Sequence, residues 1–206
     1  MYTPESFKVP DENRVFSFIE RYDFATLVTS PASGGVLVSH IPLLLKRSED
    51  RTVLIGHVAR ANDHWRHFDG ATQSLAIFHG PHGYVSPTWY ENKPAVPTWN
   101  YAVVHAYGYP RALEDPELTA AILSELVHKH ENHRAAPWRM EDLPRDFYER
   151  MVSGIVAFEM PISKIESKFK LGQNRPQEDR AGTVNGLRAE GSADTAALAE
   201  FMLENV

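Results

Sequence analysis

The segment from Gly80 to Tyr101 reads Gly-Pro-His-Gly-Tyr-Val-Ser-Pro-Thr-Trp-Tyr, then Glu-Asn-Lys-Pro-Ala, then Val-Pro-Thr-Trp-Asn-Tyr. Pro81, Pro87, Pro94 and Pro97 fix φ and restrain the residue before each, so the backbone here is stiff and irregular. On it sit Trp89, Trp99, Tyr84, Tyr90, Tyr101 and His82. Flat aromatic faces on a rigid support suit a flat ligand ring, and they equally suit a subunit interface.

A second pattern concerns anions. Gly56-His57-Val58-Ala59-Arg60-Ala61-Asn62 reads as the exit of a strand into a helix. Such a junction offers unpaired backbone N–H groups, a favourable dipole and, in Arg60, a guanidinium with bidentate reach. Other chemistries find less support. The chain has ten histidines, but His64/His67 and His130/His133 do not match zincin spacing, and the dipole alone favours His128, His130 and His133 at a helix C-terminus. No metal site is expected. There is no Gly-x-Ser-x-Gly elbow, no phosphate loop and no dinucleotide fingerprint, and Ser39 and His40, adjacent in a strand, face opposite ways. His40, His57 and His105 titrate in a useful range without standing out as acid or base.

The chain has 206 residues, 43% hydrophobic and 23% charged, enough to bury a core in one domain or a domain with an appendage. With no cysteine, disulfides and thiolate chemistry are excluded. No apolar run reaches membrane-spanning length and no secretory signal opens the chain, so a cytoplasmic location is expected. A net charge of −6 weighs against a strong nucleic-acid footprint. One basic stretch stands apart: Lys164, Lys168, Lys170, Arg175, Arg180 and Arg188, against Glu166, Glu178 and Asp179.

The elements that must position these residues follow from patterning. A capped amphipathic helix is expected from Pro10 to about Tyr22, then strands at 24–29, 36–45 (with Pro42 marking an edge or bulge), 52–58, 74–79 and 84–86. A short helix at 61–68, a long strand at 99–112, and a helix from Asp115 to about Lys129 with Leu118, Ile122 and Leu126 inward come next. A helix near 143–151, strands at 154–160 and 164–171, and a closing helix at 193–205 complete the pattern. Many strands with helices at the start, middle and end imply a mainly β fold with helical additions (α+β), an antiparallel barrel. Residues 1–172 would form it, and 173–206 a C-terminal extension ending in a helix and packed on it.

Met1-Tyr-Thr-Pro-Glu-Ser-Phe, Phe24-Ala-Thr-Leu-Val, His40-Ile-Pro-Leu, Gly56-His-Val-Ala-Arg-Ala-Asn, the aromatic block and Lys170-Leu-Gly-Gln-Asn-Arg occur in one order. In this the chain resembles the PaiB family of FMN-binding negative transcriptional regulators, over nearly its whole length. The resemblance implies a split β-barrel, homodimeric, with FMN at the subunit interface. It implies that His40, Ile41 and Pro42 border the isoalloxazine, that His57, Arg60 and Asn62 hold the phosphate, and that Trp99 and Asn100 reach the ring or the neighbouring subunit. Lys170, Gln173 and Arg175 match a family motif and join the cofactor-binding candidates. The wider barrel family often uses Lys, Ser and Thr at the phosphate, where this chain has His57, Arg60 and Asn62.

The first functional expectation is therefore an FMN-binding regulator with flavin-dependent redox activity, the redox chemistry belonging to the flavin. A flavin-dependent oxidoreductase without direct DNA binding is one alternative. A haem-binding or haem-degrading split barrel is another, and an aromatic block serving only as dimer core is a third. Direct DNA contact would need a helix-turn-helix, which the helices near 115–130 and 144–151 do not make.

Overall fold

A computed structural model describes Met1–Val206. Its strands are β1 (Phe24–Thr29), β2 (Leu37–Pro42), β3 (Leu44–Arg47), β4 (Thr52–Ala59), β5 (Ser74–Val85), β6 (Thr98–Gly108), β7 (Arg111–Leu113) and β8 (Ile155–Lys170). Its helices are α1 (Glu12–Arg21), α2 (Pro116–Glu131), α3 (Arg145–Ser153), α4 (Gln177–Ala189) and α5 (Ala193–Asn205). The strand order is β2-β1-β5-β6-β8-β4-β3, with β7 also pairing with β8. The pairs β1–β2, β3–β4, β4–β8 and β7–β8 are antiparallel.

Several boundaries depart from the sequence pattern for local reasons. The expected strand at 36–45 divides after Pro42, where Leu43 turns its N–H to the carbonyl of Asp23 at 2.9 Å. β2 thereby pairs with β1, and β3 with β4. The pieces at 74–79 and 84–86 are one twelve-residue strand, and those at 154–160 and 164–171 are one sixteen-residue strand. The long strand expected to reach Ala112 breaks at Tyr109-Pro110, and β7 resumes beyond it. Leu118 is 48% exposed, and Thr119 takes its place beside Ile122 and Leu126 on the buried side of α2.

The chain divides into two compact units, and β5, β6 and β8 give residues to both. The first comprises Met1–Tyr22, Phe78–His105 and Glu166–Val206. Its core stacks Phe18 of α1 against Phe169 and Phe201 at centroid distances of 5.0 and 5.9 Å, with Leu187 and Leu198 fully buried. Helix α4 is the element that sequence patterning missed, because Gly182 and Gly186 lower its helical propensity. Those glycines have a packing reason. A β-carbon at Gly186 would fall 2.2 Å from Cδ2 of Trp89, and one at Gly182 would fall 2.0 Å from the Trp89 carbonyl oxygen. The two glycines therefore make the shallow face on which Trp89 lies.

The second unit comprises Asp23–Ile77 and Ala106–Ile165. Leu44, Val53 and Ile55 of β3 and β4 pack with Ile122 and Leu126 of α2 and with Ala157 of β8. Val53, Leu54, Ile55, Gly56 and Val58 are all buried, so β4 is covered on both faces. A β-carbon at Gly56 would meet Leu43 Cδ2 at 2.7 Å and the Pro42 carbonyl oxygen at 3.2 Å, so a side chain there would displace the fully buried Leu43.

In Gly186→Ala the gain in helix propensity, about 1 kcal/mol, is outweighed by the displaced indole. We expect a net loss of about 1–3 kcal/mol by urea unfolding and an altered near-UV circular dichroism signal from Trp89. An unchanged midpoint and spectrum would contradict the packing account.

Candidate functional site

In the second unit, the exit of β4 is built largely to satisfy itself. Arg60 donates from Nε to the Ser153 carbonyl at 2.8 Å and from Nη2 to the Ile155 carbonyl at 2.9 Å. Its own amide donates to the Gly154 carbonyl at 2.8 Å. The guanidinium is thus fixed against the start of β8, with Nη1 and the second Nη2 hydrogen left to donate. The helix that follows is only a five-residue 3-10 turn, Asp63–His67, so its dipole is small. Asn62 caps it, accepting from His64 N at 3.1 Å, while its Nδ2 donates to Ser39 Oγ at 2.9 Å.

Ser39 belongs to a buried polar chain that sequence reasoning passed over. Ser39 Oγ lies 2.8 Å from His64 Nδ1, His64 Nε2 lies 2.7 Å from Thr29 Oγ1, and Thr29 Oγ1 lies 2.5 Å from Ser74 Oγ. Every member finds a partner, as buried polar groups must. Burial pushes the His64 imidazole down to about 4, with nearby His67 adding to the effect. His57, on β4 opposite Ala157, is half-buried, and its Nδ1 is enclosed without a hydrogen-bond partner. Burial also lowers its pKa, so it stands neutral. His40 is exposed with Nδ1 3.1 Å from Thr26 Oγ1, Ile41 is buried, and Pro42 ends the strand. β2 is one end of the strand order.

The first unit holds the other candidates. Trp99 is 54% exposed on β6, with His82 stacked and Tyr84 edge-on, each at a centroid distance of 6.4 Å. Lys170 Nζ donates to Thr98 Oγ1 and, at 2.9 Å, to the carbonyl of Trp99. Desolvation lowers its pKa. Nearby, Lys168 is buried, donates to the Tyr2 carbonyl at 3.2 Å and lies over the rings of Tyr2 and Tyr101. No carboxylate pairs with either lysine.

The rest of the Lys170 motif is a fastening. Gln173 accepts from Leu171 N at 2.8 Å and donates to the Phe169 carbonyl at 2.6 Å, closing a turn in which Gly172 has φ +85°. Arg175 lies over the Tyr90 ring at 4.6 Å and 3.8 Å from Asp179. Fully buried Asp179 accepts from Glu91 N and Asn92 N at 3.0 Å each, and from Asn92 Nδ2 at 3.1 Å. Those N–H groups, the Asn92 amide first among them, hold its carboxyl below the usual range. Asn100 is buried and donates to Met202 Sδ at 3.5 Å, so it packs inward and presents nothing at the surface.

The structure thus gathers His57, Arg60, Asn62 and His40–Pro42 in one unit, and Trp99, Asn100, Lys170, Gln173 and Arg175 in the other. Ser39, Thr29, His64, Ser74, Lys168 and Asp179 were missed as participants. Ser39 beside His40, His64 paired with His67, and Lys168 and Asp179 in the basic stretch each carried a sequence signal, but none that pointed to these partners. No three His, Asp or Glu side chains gather as metal ligands.

Residues 1–164 match the family described as "Putative FMN-binding domain". The chain belongs to this FMN-binding domain family. A Bacillus subtilis relative, protease synthase and sporulation protein PAI 2, is 35% identical over 98% of this chain and 96% of its own length, which bears out the PaiB resemblance. An uncharacterized protein of Emericella nidulans is 30% identical over 87% of this chain and 86% of its own. Among solved structures, the FAD and heme binding protein of Mycobacterium smegmatis aligns at TM-score 0.60 and 15% identity, over 84% of this chain and 78% of that one. The flavocytochrome Anf3 of Azotobacter vinelandii aligns at 0.58 and 15% identity, over 85% and 75%. These likenesses show the fold, mainly β with helical additions and of the split-barrel type. No helix of the family member described here is long and apolar enough to cross a membrane.

His64 gives this region a pH signature. The unfolded chain takes up a proton near 6.5, whereas the folded imidazole resists until about 4. Its neutral burial therefore costs nothing above pH 6.5, and stability falls progressively as pH drops toward 4. Between pH 8 and pH 5 this removes about 1–2 kcal/mol. Urea unfolding should show that loss in the wild type and a smaller one in His64→Gln; identical pH profiles would contradict the assignment.

Proposed function

We propose that this chain binds FMN and serves as a flavin-binding negative regulator of transcription, acting as a homodimer. The family match and the full-length Bacillus relative support the reading. The observation that carries it is the pairing of a half-exposed Trp99 with Lys170, an ammonium bonded to the Trp99 carbonyl and lacking a carboxylate partner. A planar anion complements such a pair, because the indole face takes a ring and the uncompensated ammonium takes negative oxygen.

The residues fit the cofactor in kind. In the first unit, Trp99 and Tyr84 offer ring surface, and Lys170 a cation already oriented by two hydrogen bonds. In the second, Arg60 donates to two backbone carbonyls and stands among Glu114, Glu117 and Glu149, Asn62 is spent on Ser39 and the following turn, and the unpartnered His57 nitrogen is enclosed. We therefore assign anion recognition to Lys170 and give Arg60 the structural role that its bonds to backbone carbonyls describe. Bound FMN supplies reversible electron and hydride exchange at its isoalloxazine. The chain's part is to orient the ring, shield it from water and hold a positive charge where the ring or phosphate is anionic. Phe24 of β1, Val36 just before β2 and Val38 of β2 stand 64%, 63% and 52% exposed, an apolar surface for the second copy.

Regulation through direct DNA contact gains little from the helices. α4 and α5 are joined by only Glu190, Gly191 and Ser192, which has the form of a helix-turn-helix. Yet α5 carries Asp194, Glu200 and Glu204 and no Lys or Arg, the wrong sign for a recognition helix facing phosphates. The regulatory output is more consistent with a flavin-dependent change read by another molecule.

Flavin fluorescence titration tests the reading. Wild type should take one FMN per chain, and Lys170→Ala should bind at least tenfold more weakly with its melting temperature nearly unchanged. Arg60→Ala should keep its affinity and lose stability, since it releases the Ser153 and Ile155 carbonyls. No saturable binding by wild type would overturn the cofactor reading. Intact affinity in Lys170→Ala with loss in Arg60→Ala would move the anion to the β4 exit.

A further inference from the structure

The second unit contains a cleft of about 750 Å³, bounded by the end of β7, the first turn of α2, the C-terminal half of α3 and the start of β8. That volume is in the range of small-molecule sites. Its floor is apolar, with Leu113, Ala120, Val152 and Val156 among the lining residues, and Trp65 and Tyr148 give it two aromatic side chains. The charges around it are Glu114, Glu117 and Glu149 against Arg60.

These charges are not equally available. Arg60 directs Nε and Nη2 to backbone carbonyls. Glu149 is engaged by Arg145 Nε at 2.7 Å. Glu114 and Glu117 are exposed and have no cationic partner. Asp115, between them, caps α2 by accepting from Glu117 N at 2.8 Å, which fixes the backbone that carries both carboxylates. The Trp65 indole is likewise held, donating Nε1–H to the Arg60 carbonyl at 2.9 Å, with the Arg66 guanidinium over its ring at 5.3 Å. The cleft therefore joins an apolar floor, an oriented indole and two carboxylates without a cationic side-chain partner.

We propose that this cleft binds a small organic cation, a protonated or quaternary ammonium on an apolar body, as a site separate from the flavin. The apolar body displaces water from the floor and packs against the Trp65 and Tyr148 side chains, and the cationic head takes the Glu114 and Glu117 carboxylates. An anionic ligand such as FMN is disfavoured here because the lining is net negative even with Arg60 counted. The inference does not depend on flavin binding, and the two stand or fall separately.

Isothermal titration of the full chain with benzyltrimethylammonium, against benzoate and benzyl alcohol, tests it. Saturable binding of the cation, with benzoate and benzyl alcohol at least tenfold weaker, is expected. The Glu114→Gln/Glu117→Gln double variant, altered only at exposed positions, should weaken the cation tenfold or more while leaving the melting temperature and FMN affinity unchanged. Placing bulk in the cleft with Ala120→Leu should weaken it independently. No saturable binding by wild type, equal binding of the neutral and cationic probes, or equal cation affinity in the double variant would each overturn the proposal.

Discussion

The aromatic face of the first unit depends on one close approach, that of Trp89 to the two glycines of α4. A helix with any side chain at Gly182 or Gly186 would push the indole away, and the loop carrying Trp89, Tyr90, Glu91 and Asn92 would lose its seat. Asp179 and Arg175, on the same helix, complete the fastening. The buried carboxylate takes two loop N–H groups and an amide, and the guanidinium covers Tyr90. Ordering a proline-rich loop this firmly costs conformational entropy, which the packed indole and the charge-assisted hydrogen bonds offset. Just beyond the loop, Lys170 binds Thr98 and the Trp99 carbonyl and so orients the ring left exposed.

A different logic governs the second unit. There one chain of polar groups is mutually satisfied, from Ser74 through Thr29, His64 and Ser39 to Asn62. A network closed in this way fixes the β4 exit without needing a ligand. That closure is why Asn62, a natural phosphate donor by position, contributes mainly to local architecture. Arg60 shows a milder version of the same effect, since two of its five N–H donors serve the start of β8. Position in a strand–turn motif thus identifies which residues gather, while hydrogen-bond accounting identifies which remain free.

Much of this was legible in the sequence. β1, β4, α1, α2 and α5 appear close to where alternation, caps and helical periodicity place them, and the resemblance to a flavin-binding family holds. Helix α4 was not legible, because its glycines serve a partner ninety residues away in the chain, about which local propensity is silent. Nor was the structural duty of Gln173 and Arg175, which looks like ligand chemistry in a list of residue types. The buried His64 chain escaped for the same reason: Thr29, Ser39, His64 and Ser74 meet only through pairing across strands and a turn. Leu118 misled in the opposite direction, an apolar residue at helical spacing that faces solvent.

The central claim is that an uncompensated positive charge beside exposed aromatic surface recognises an anionic flavin. Equilibrium dialysis of the full chain with FMN and, separately, riboflavin tests it most directly, because the two share the ring and differ in the phosphate. The account predicts saturation by FMN at one per chain and riboflavin binding at least tenfold weaker, with the gap narrowing as salt rises. Equal affinity for the two, or no binding of either, would contradict it.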